Sequence, residues 1–262
     1  MKHSQINISA RDQVNSIARV LNIIECFAFE KAEWSLSDLA EQTGLPNSTL
    51  HRQLSTLVAA GYLKQDSLRG FYQIDNRFLL LACSLMSKFD LRMIARPHLE
   101  QLSEKTGETV HLCMLSGFDM FYVEKIESQY SVSCNSQIGS RLPAHVASAG
   151  KVLLSGQSDS FLREYIKEIP NMPVFTKHTI TDPDLLISEL VAVQKNGYAL
   201  DHEESEEGLV CVAAPVRNMD QQIIAAVSVS GPSFRFADQI EKALPHLYKC
   251  TAEISRLLGY TK

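Results

Sequence analysis

Residues 36–61 read LSDLAEQTGLPNSTLHRQLSTLVAAG, and their spacing predicts helix, tight turn, helix. Ser37 is placed to cap the first helix through its side-chain oxygen, and Asp38 suits the positive end of the helix dipole. Leu39 and Ala40 face inward, and Gly44 supplies the left-handed residue that stops the helix. Leu45 is the turn hydrophobe. Pro46 suits the first turn of the second helix, where its missing N–H costs nothing. In that second helix Leu50, Leu54, Leu57 and Val58 recur on one face. Asn47, Ser48, Thr49, His51, Arg52 and Ser55 lie on or near the other. These are groups of the kind that reach base edges and phosphates in a major groove. The layout is that of a helix-turn-helix.

Upstream, residues 14–29 predict a helix whose stripe is Val14, Ile17, Leu21, Ile24 and Ala28, reinforced by Val20 and Phe27. Trp34 and Leu36 lead into the two helices. Downstream, Tyr62–Lys64 and Phe71–Ile74 predict strands flanking the turn-rich Gln65–Gly70. A β-hairpin directly after a helix-turn-helix is a wing. Residues 13–75 are therefore expected to form a winged DNA-binding domain, preceded by a loose arm, residues 1–12. Ser37, Lys64 and Arg69 join the candidate DNA contacts, Arg69 at the wing tip facing a phosphate or the minor groove.

Charge complicates this reading. Residues 1–75 hold seven Lys/Arg against eight Asp/Glu, so DNA binding needs the cations gathered on one face. Arg52, Lys64 and Arg69 fall in the right stretch, where Asp66 is the only acid between Gly44 and Gly70. The expectation is modest DNA affinity per protomer and a requirement for dimers. Residues 76–90 supply a candidate dimerisation element. The helix expected there carries Phe78, Leu79, Leu80, Leu81, Ala82, Leu85, Met86 and Phe89, apolar on more than one face, and calls for a partner such as the same helix of a second copy.

A second domain is expected over residues 91–262. Leu91–Thr106 predicts an amphipathic helix ending at Gly107. Strands follow at Thr109–Leu115 and Met120–Ile126, joined by the turn Ser116–Asp119, with another at about 131–137. A helix begins after Pro143, with others at about 158–168, 182–195 and 238–258. Strands at about 198–203, 210–217 and 222–230 complete an α+β domain with an antiparallel sheet flanked by helices.

The 262-residue chain is 45% hydrophobic and 21% charged, which is globular composition. No apolar run approaches the ~20 residues of a membrane span, so no membrane partner is expected. The N-terminus lacks the apolar core of a signal peptide. The six cysteines are scattered without a CxxC and read as reduced, mostly core-packed thiols of a cytoplasmic protein. No glycine-rich nucleotide motif follows a strand, and no cofactor is expected.

Within the second domain, Ser148, Ala149 and Gly150 fall near a helix start, where free N–H groups and the dipole favour an anion. Ser228 and Ser230 alternate along one strand and so share a face. Asp201 and Cys211 lie on neighbouring strands. Together these would take a small molecule with a carboxylate at one end and hydroxyls at the other. Asp201–Glu207 holds five acids and His202. It reads as a solvated acidic loop with one inward Asp rather than a metal site. His111 and Cys113 share a strand face without an acid at a spacing known for nucleophilic catalysis.

Residues 197–204 (GYALDHEE), Cys211-Val212-Ala213 after a further six residues, and Val216-Arg217-Asn218 resemble the signature of the IclR family of bacterial transcription regulators. Arg217 departs from it, since an aromatic or His is usual there; the position reads as a turn. Gly139–Pro143, Ala149–Lys151 and Ser228–Pro232 agree with the same family, from about residue 12 onward. The resemblance implies a DNA-binding domain, a dimerising linker helix, and an effector domain of GAF-like or PAS-like fold, with tetramers common. It implies effector contacts at Ser148, Ala149, Asp201, Cys211, Ser228 and Ser230, with Leu142 and Leu209 as apolar walls. The leading expectation is a repressor of a catabolic operon that binds operator DNA and a small carboxylate such as a sugar acid or keto acid. Two alternatives stay open: an enzyme acting on a small carboxylate with a regulatory winged helix, and a winged helix used only for protein assembly.

Overall fold

The computed structural model describes residues 15–86 and 90–261. The expected N-terminal arm, Val14 and Phe89 lie outside them. The chain divides into two compact units between Lys88 and Phe89.

The first unit runs α1 (Asn15–Phe29), β1 (Glu33–Trp34), α2 (Leu36–Thr43), α3 (Asn47–Ala59), β2 (Leu63–Gln65), β3 (Tyr72–Ile74) and α4 (Asn76–Met86). Its core gathers Ile23, Cys26, Phe27, Trp34, Leu39, Leu50, Leu54, Leu57, Leu63 and Tyr72. Three details differ from the sequence reading. The buried face of α1 is Ile23, Cys26 and Phe27, flanked by Val20 and Ile24, while Ile17 and Leu21 are exposed at 58% and 40%. The helix is apolar over a wide arc, so periodicity alone did not say which part meets α2 and α3. The cap of α2 is Ser35, whose Oγ accepts from Asp38 N at 3.1 Å; Ser37 is the second helical residue, its Oγ 3.0 Å from that of Ser35. Pro46 stands just before α3 as its cap residue. Gly44 does end α2, at φ 67°.

A third strand, absent from the sequence reading, completes the wing. Glu33 and Trp34 pair with Gln73 and Tyr72, giving the order β1-β3-β2. The Trp34 indole donates to Cys26 O at 3.3 Å and to Lys31 O at 3.1 Å, tying this short strand to the end of α1. The expected linker helix is described only as far as Met86. Leu79, Leu80 and Leu81 on it are exposed at 63%, 70% and 43%.

The second unit runs α5 (Asp90–Thr106), β4 (Thr109–Ser116), β5 (Asp119–Ile126), β6 (Arg141–Pro143), α6 (Ser148–Ser155), α7 (Asp159–Glu168), α8 (Pro183–Asn196), β7 (Ala199–His202), β8 (Leu209–Arg217), β9 (Ile223–Pro232), α9 (Ser233–Phe236) and α10 (Ile240–Leu257). The sheet is antiparallel, in the order β6-β5-β4-β9-β8-β7. Alternation gives it two unlike faces. Val110, Leu112, Val210, Val212, Ala214, Val227 and Val229 point to one, beneath Leu99 of α5 and Leu247 and Ile254 of α10. Thr109, His111, Cys113, Ser228, Ser230, Cys211 and Asp201 occupy the other, whose apolar part packs on α6 and α8 through Val152, Leu153 and Leu190.

The strand expected at about 131–137 is a loop. The edge of β5 is occupied instead by β6, through Met120–Leu142 and its neighbours. The loop's carbonyls at Cys134 and Ser136 accept from Lys125 Nζ at 3.0 and 2.9 Å, so a side chain replaces the strand partner. The helix expected from Pro143 is split. Ala144–Val146 form one 3-10 turn, Ala147 is extended, and α6 restarts at Ser148. A Cβ on Gly150 would lie 2.0 Å from Ala144 O, so glycine is what lets the chain fold back so closely. No described helix is long and apolar enough to cross a membrane.

Candidate functional site

In the first unit α3 buries Leu50, Leu54 and Leu57. That leaves Asn47, Ser48, His51, Arg52 and Ser55 exposed and Thr49 half-buried. Ser55 Oγ donates to His51 O at 2.8 Å, which spends its hydroxyl proton on its own helix and leaves the oxygen free to accept. Arg52 has no ion-pair partner among the described residues. Lys64 is exposed on β2 and Ser37 on α2.

Arg69 is placed differently from the expectation. Its Nε bonds Asp66 Oδ2 at 2.8 Å and its Nη2 bonds Glu33 Oε2 at 3.0 Å. Asp66 also accepts from the N–H groups of Leu68 and Arg69, and the guanidinium is the first cause of its pKa falling to about 2. A charge count along Gly44–Gly70 omits Glu33, because only the pairing of β1 with β3 brings that acid to the wing. The wing cation is thus shared between two carboxylates before any phosphate arrives. Leu68 beside it is 95% exposed.

In the second unit Ser148, Ala149, Asp201, Leu209, Cys211, Ser228 and Ser230 line one cavity of about 20 Å³. The strand register aligns Asp201, Cys211 and Ser230 across β7, β8 and β9. α6 meets this row with its N-terminus, where no side chain caps the free N–H groups. Leu142 is the expected wall residue that does not line the cavity. It stands half-buried on β6 beside Met120, which takes that place. Tyr122, Cys134, Ala147 and Ser205 complete the lining. Of these, Tyr122 was open to sequence reading through its alternation with Met120. Cys134 was not, because its segment has the pattern of a strand and folds as a loop.

Asp201 is fully buried. Its Oδ1 accepts from Glu204 N at 2.7 Å and its Oδ2 from Ser205 Oγ at 2.9 Å. Desolvation, then the charge of Glu204, raises its pKa to about 6. His111 backs the two serines, with Nδ1 3.5 Å from Ser228 Oγ and from Ser230 Oγ, and Nε2 2.6 Å from Ser136 Oγ. Burial holds its pKa down at about 3, so it is a neutral imidazole that can donate through only one nitrogen. Burial pushes the Cys113 and Cys211 thiols up, the opposite of what a thiolate nucleophile requires.

The acidic run is divided among separate tasks. Glu204 takes Lys151 Nζ at 2.8 Å in a buried pair, and Glu203, at φ 62°, accepts from Gly208 N. Lys151 thereby ties α6 to the loop after β7. Among the described residues no three His, Cys, Asp or Glu side chains gather as a metal site. Arg217, expected in a turn, is the last residue of β8, next to a register shift.

Two family models match the chain: "IclR helix-turn-helix domain" over residues 16–67 and "Bacterial transcriptional regulator IclR C-terminal" over residues 83–256. Among curated proteins, the HTH-type transcriptional regulator XynR of Escherichia coli is 34% identical over 248 residues, 94% of this chain and 98% of that protein. The transcriptional repressor IclR of the same organism is 32% identical over 231 residues, 87% of this chain and 84% of that protein. Among solved structures, an IclR homologue from Microbacterium hydrocarbonoxydans in complex with 4-hydroxybenzoate has TM-score 0.82 and 26% identity, covering 93% of this chain and 98% of that one.

Proposed function

The chain belongs to the IclR family of bacterial transcription regulators, and on that premise we propose that it is a ligand-responsive repressor of a catabolic operon. Its first unit binds double-stranded operator DNA, and its second binds a small carboxylate such as a sugar acid or keto acid. The observation that carries this reading is the gathering of Ser148, Ala149, Asp201, Cys211, Ser228 and Ser230, far apart in sequence, around one buried cavity. The uncapped start of α6 suits the carboxylate end. Asp201, carrying its own negative charge when ionised, suits a hydroxyl. The homologue crystallised with 4-hydroxybenzoate supports a carboxylate as the ligand class.

The small size of the cavity gives the response a physical basis. Its volume of about 20 Å³ is room for roughly one water. An effector larger than that must bind a state in which the lining, including Cys134 on the loop 127–140, has moved. A ligand that binds one arrangement better than another shifts the population toward it, and coupling of about 1–3 kcal/mol to DNA affinity is enough to regulate. The near-neutral first unit and the exposed apolar face of α4 support a dimer or tetramer reading paired half-sites.

The test is a gel-shift titration on DNA upstream of the gene and its neighbours, at several salt concentrations, with and without a panel of small carboxylates. The expected result is sequence-preferring binding that weakens with salt and changes with one acid of the panel. No sequence preference at micromolar protein would overturn the proposal. The enzyme alternative would require turnover of such an acid, lost in Asp201→Asn.

A further inference from the structure

We infer that the cavity at the Arg217 end of the sheet is a second small-molecule site, taking a monocarboxylate with an apolar body. This cavity, of about 240 Å³, is lined by Gly156, Val193, Gln194, Pro215, Arg217 and Ile223. It shares no lining residue with the cavity at Ser228 and Ser230. α6 forms a wall of each: Ser148 lies at the first and Ser155 at the second. Seven helical steps separate them, about 10 Å.

Arg217 is positioned at the end of β8 by the hairpin that follows it. The ladder between β8 and β9 shifts register between Val216 and Arg217, and such bulges re-aim a side chain beside a site. Arg217 Nη1 donates to Gln221 O at 2.8 Å. Gln221 is a non-glycine residue in the left-handed region, at φ 65°. Its turn is fixed by Asn218 Oδ1, which accepts from Asp220 N and Gln222 N at 3.0 Å each. This left-handed residue closes the β8–β9 hairpin, with Gln221 N donating to Asn218 O at 3.0 Å and Asn218 N to Gln222 O at 3.1 Å. Among the described residues no carboxylate pairs with the guanidinium, so most of its donors remain for a planar anion, which arginine binds in a fork. Val193, Pro215 and Ile223 offer an apolar body contacts that a polyhydroxylated acid could not use. Gln194 Nε2 is already committed to Ser155 O at 2.8 Å, so it holds the wall in place.

The experiment is a fluorine NMR titration of 4-fluorophenylacetate into the full-length protein, with hexanoate as competitor. Circular dichroism checks that each variant is folded. Saturable binding is expected in the wild type at millimolar ligand. Arg217→Gln should weaken it at least ~10-fold, as loss of a charged bidentate contact does, and Val193→Phe should abolish it by filling the cavity. In the double variant Ser228→Ala/Ser230→Ala the Arg217-dependent binding should persist, whatever the first cavity contributes in the wild type. No saturable binding to the wild type would overturn the inference. So would binding lost in the serine variant and kept in Arg217→Gln, which would place the probe in the first cavity. Neither result bears on operator binding.

Discussion

Asp201 has no exposed surface, and its carboxyl is raised to about 6 by desolvation and by Glu204. An unfolded chain would titrate it near ~3.9, so the folded protein holds this proton more tightly. Its contribution to stability is therefore greatest below the unfolded value and is lost as pH rises through about 6. The same ionisation places a negative charge in the cavity. Affinity for an anionic effector is expected to fall between about pH 5 and pH 7 as Asp201 ionises, and Asp201→Asn should flatten the profile. Calorimetric titration across that range checks it, and a wild-type slope in the variant would exclude Asp201 as the cause. On the DNA side, Arg52 has no ion-pair partner among the described residues, whereas Arg69 is held by Asp66 and Glu33. Arg52→Ala should weaken operator binding by roughly 1–3 kcal/mol if it reads a base edge. Arg69→Ala should cost less, because its guanidinium must first leave two carboxylates. Fluorescence anisotropy on one operator fragment ranks the two.

The helix-turn-helix shows how a local rule can be right in kind and wrong by two positions. Both Ser35 and Ser37 have the hydroxyl that a cap needs, and both sit before an apolar-periodic run. Ser35 is extended, at φ −76° and ψ 160°, and accepts the bond from Asp38 N. Ser35→Ala should cost about 1 kcal/mol of stability, as cap deletions do, while Ser37→Ala should be close to neutral. Urea unfolding of the two variants separates them. β1 is two residues long and carries no periodicity to find, yet it decides the electrostatics of the wing. α6 is a different case. Its Ala-Ser-Ala-Gly-Lys run reads as helix, and only the extended Ala147 shows why the helix starts at Ser148, beside the cavity.

Taken whole, each unit buries its own core, and the apolar side chains left over are informative. Leu79, Leu80 and Leu81 on α4, with Ile17 on α1, remain exposed in the single chain. Exposed apolar surface of this kind marks an interaction site. Leu79→Glu with Leu80→Glu is expected to shift the protein toward monomer and to weaken operator binding, with the fold of each unit retained. Light scattering after size exclusion measures the first effect and anisotropy the second. A variant that stays fully associated would exclude α4 as the contact.

Periodicity and turn chemistry alone determined the helix-turn-helix with its hairpin, the five longer strands of the second unit, and the face shared by Ser228 and Ser230. These follow from local geometry: which residues recur at 3.6 or at 2, and which can adopt a left-handed turn. The signature residues also led to Ser148, Asp201 and Cys211 by resemblance. Tertiary structure decided what depends on distant neighbours. It set the face of α1 that is buried, since a wide apolar stripe has no preferred side until another helix meets it. It set the partners of Arg69, since Glu33 arrives through strand pairing, and the loop at 127–140, since β6 is what pairs with the edge of β5. It also set the cavity at Arg217, because a void is the space that several elements jointly fail to fill, and no single stretch of chain encodes it.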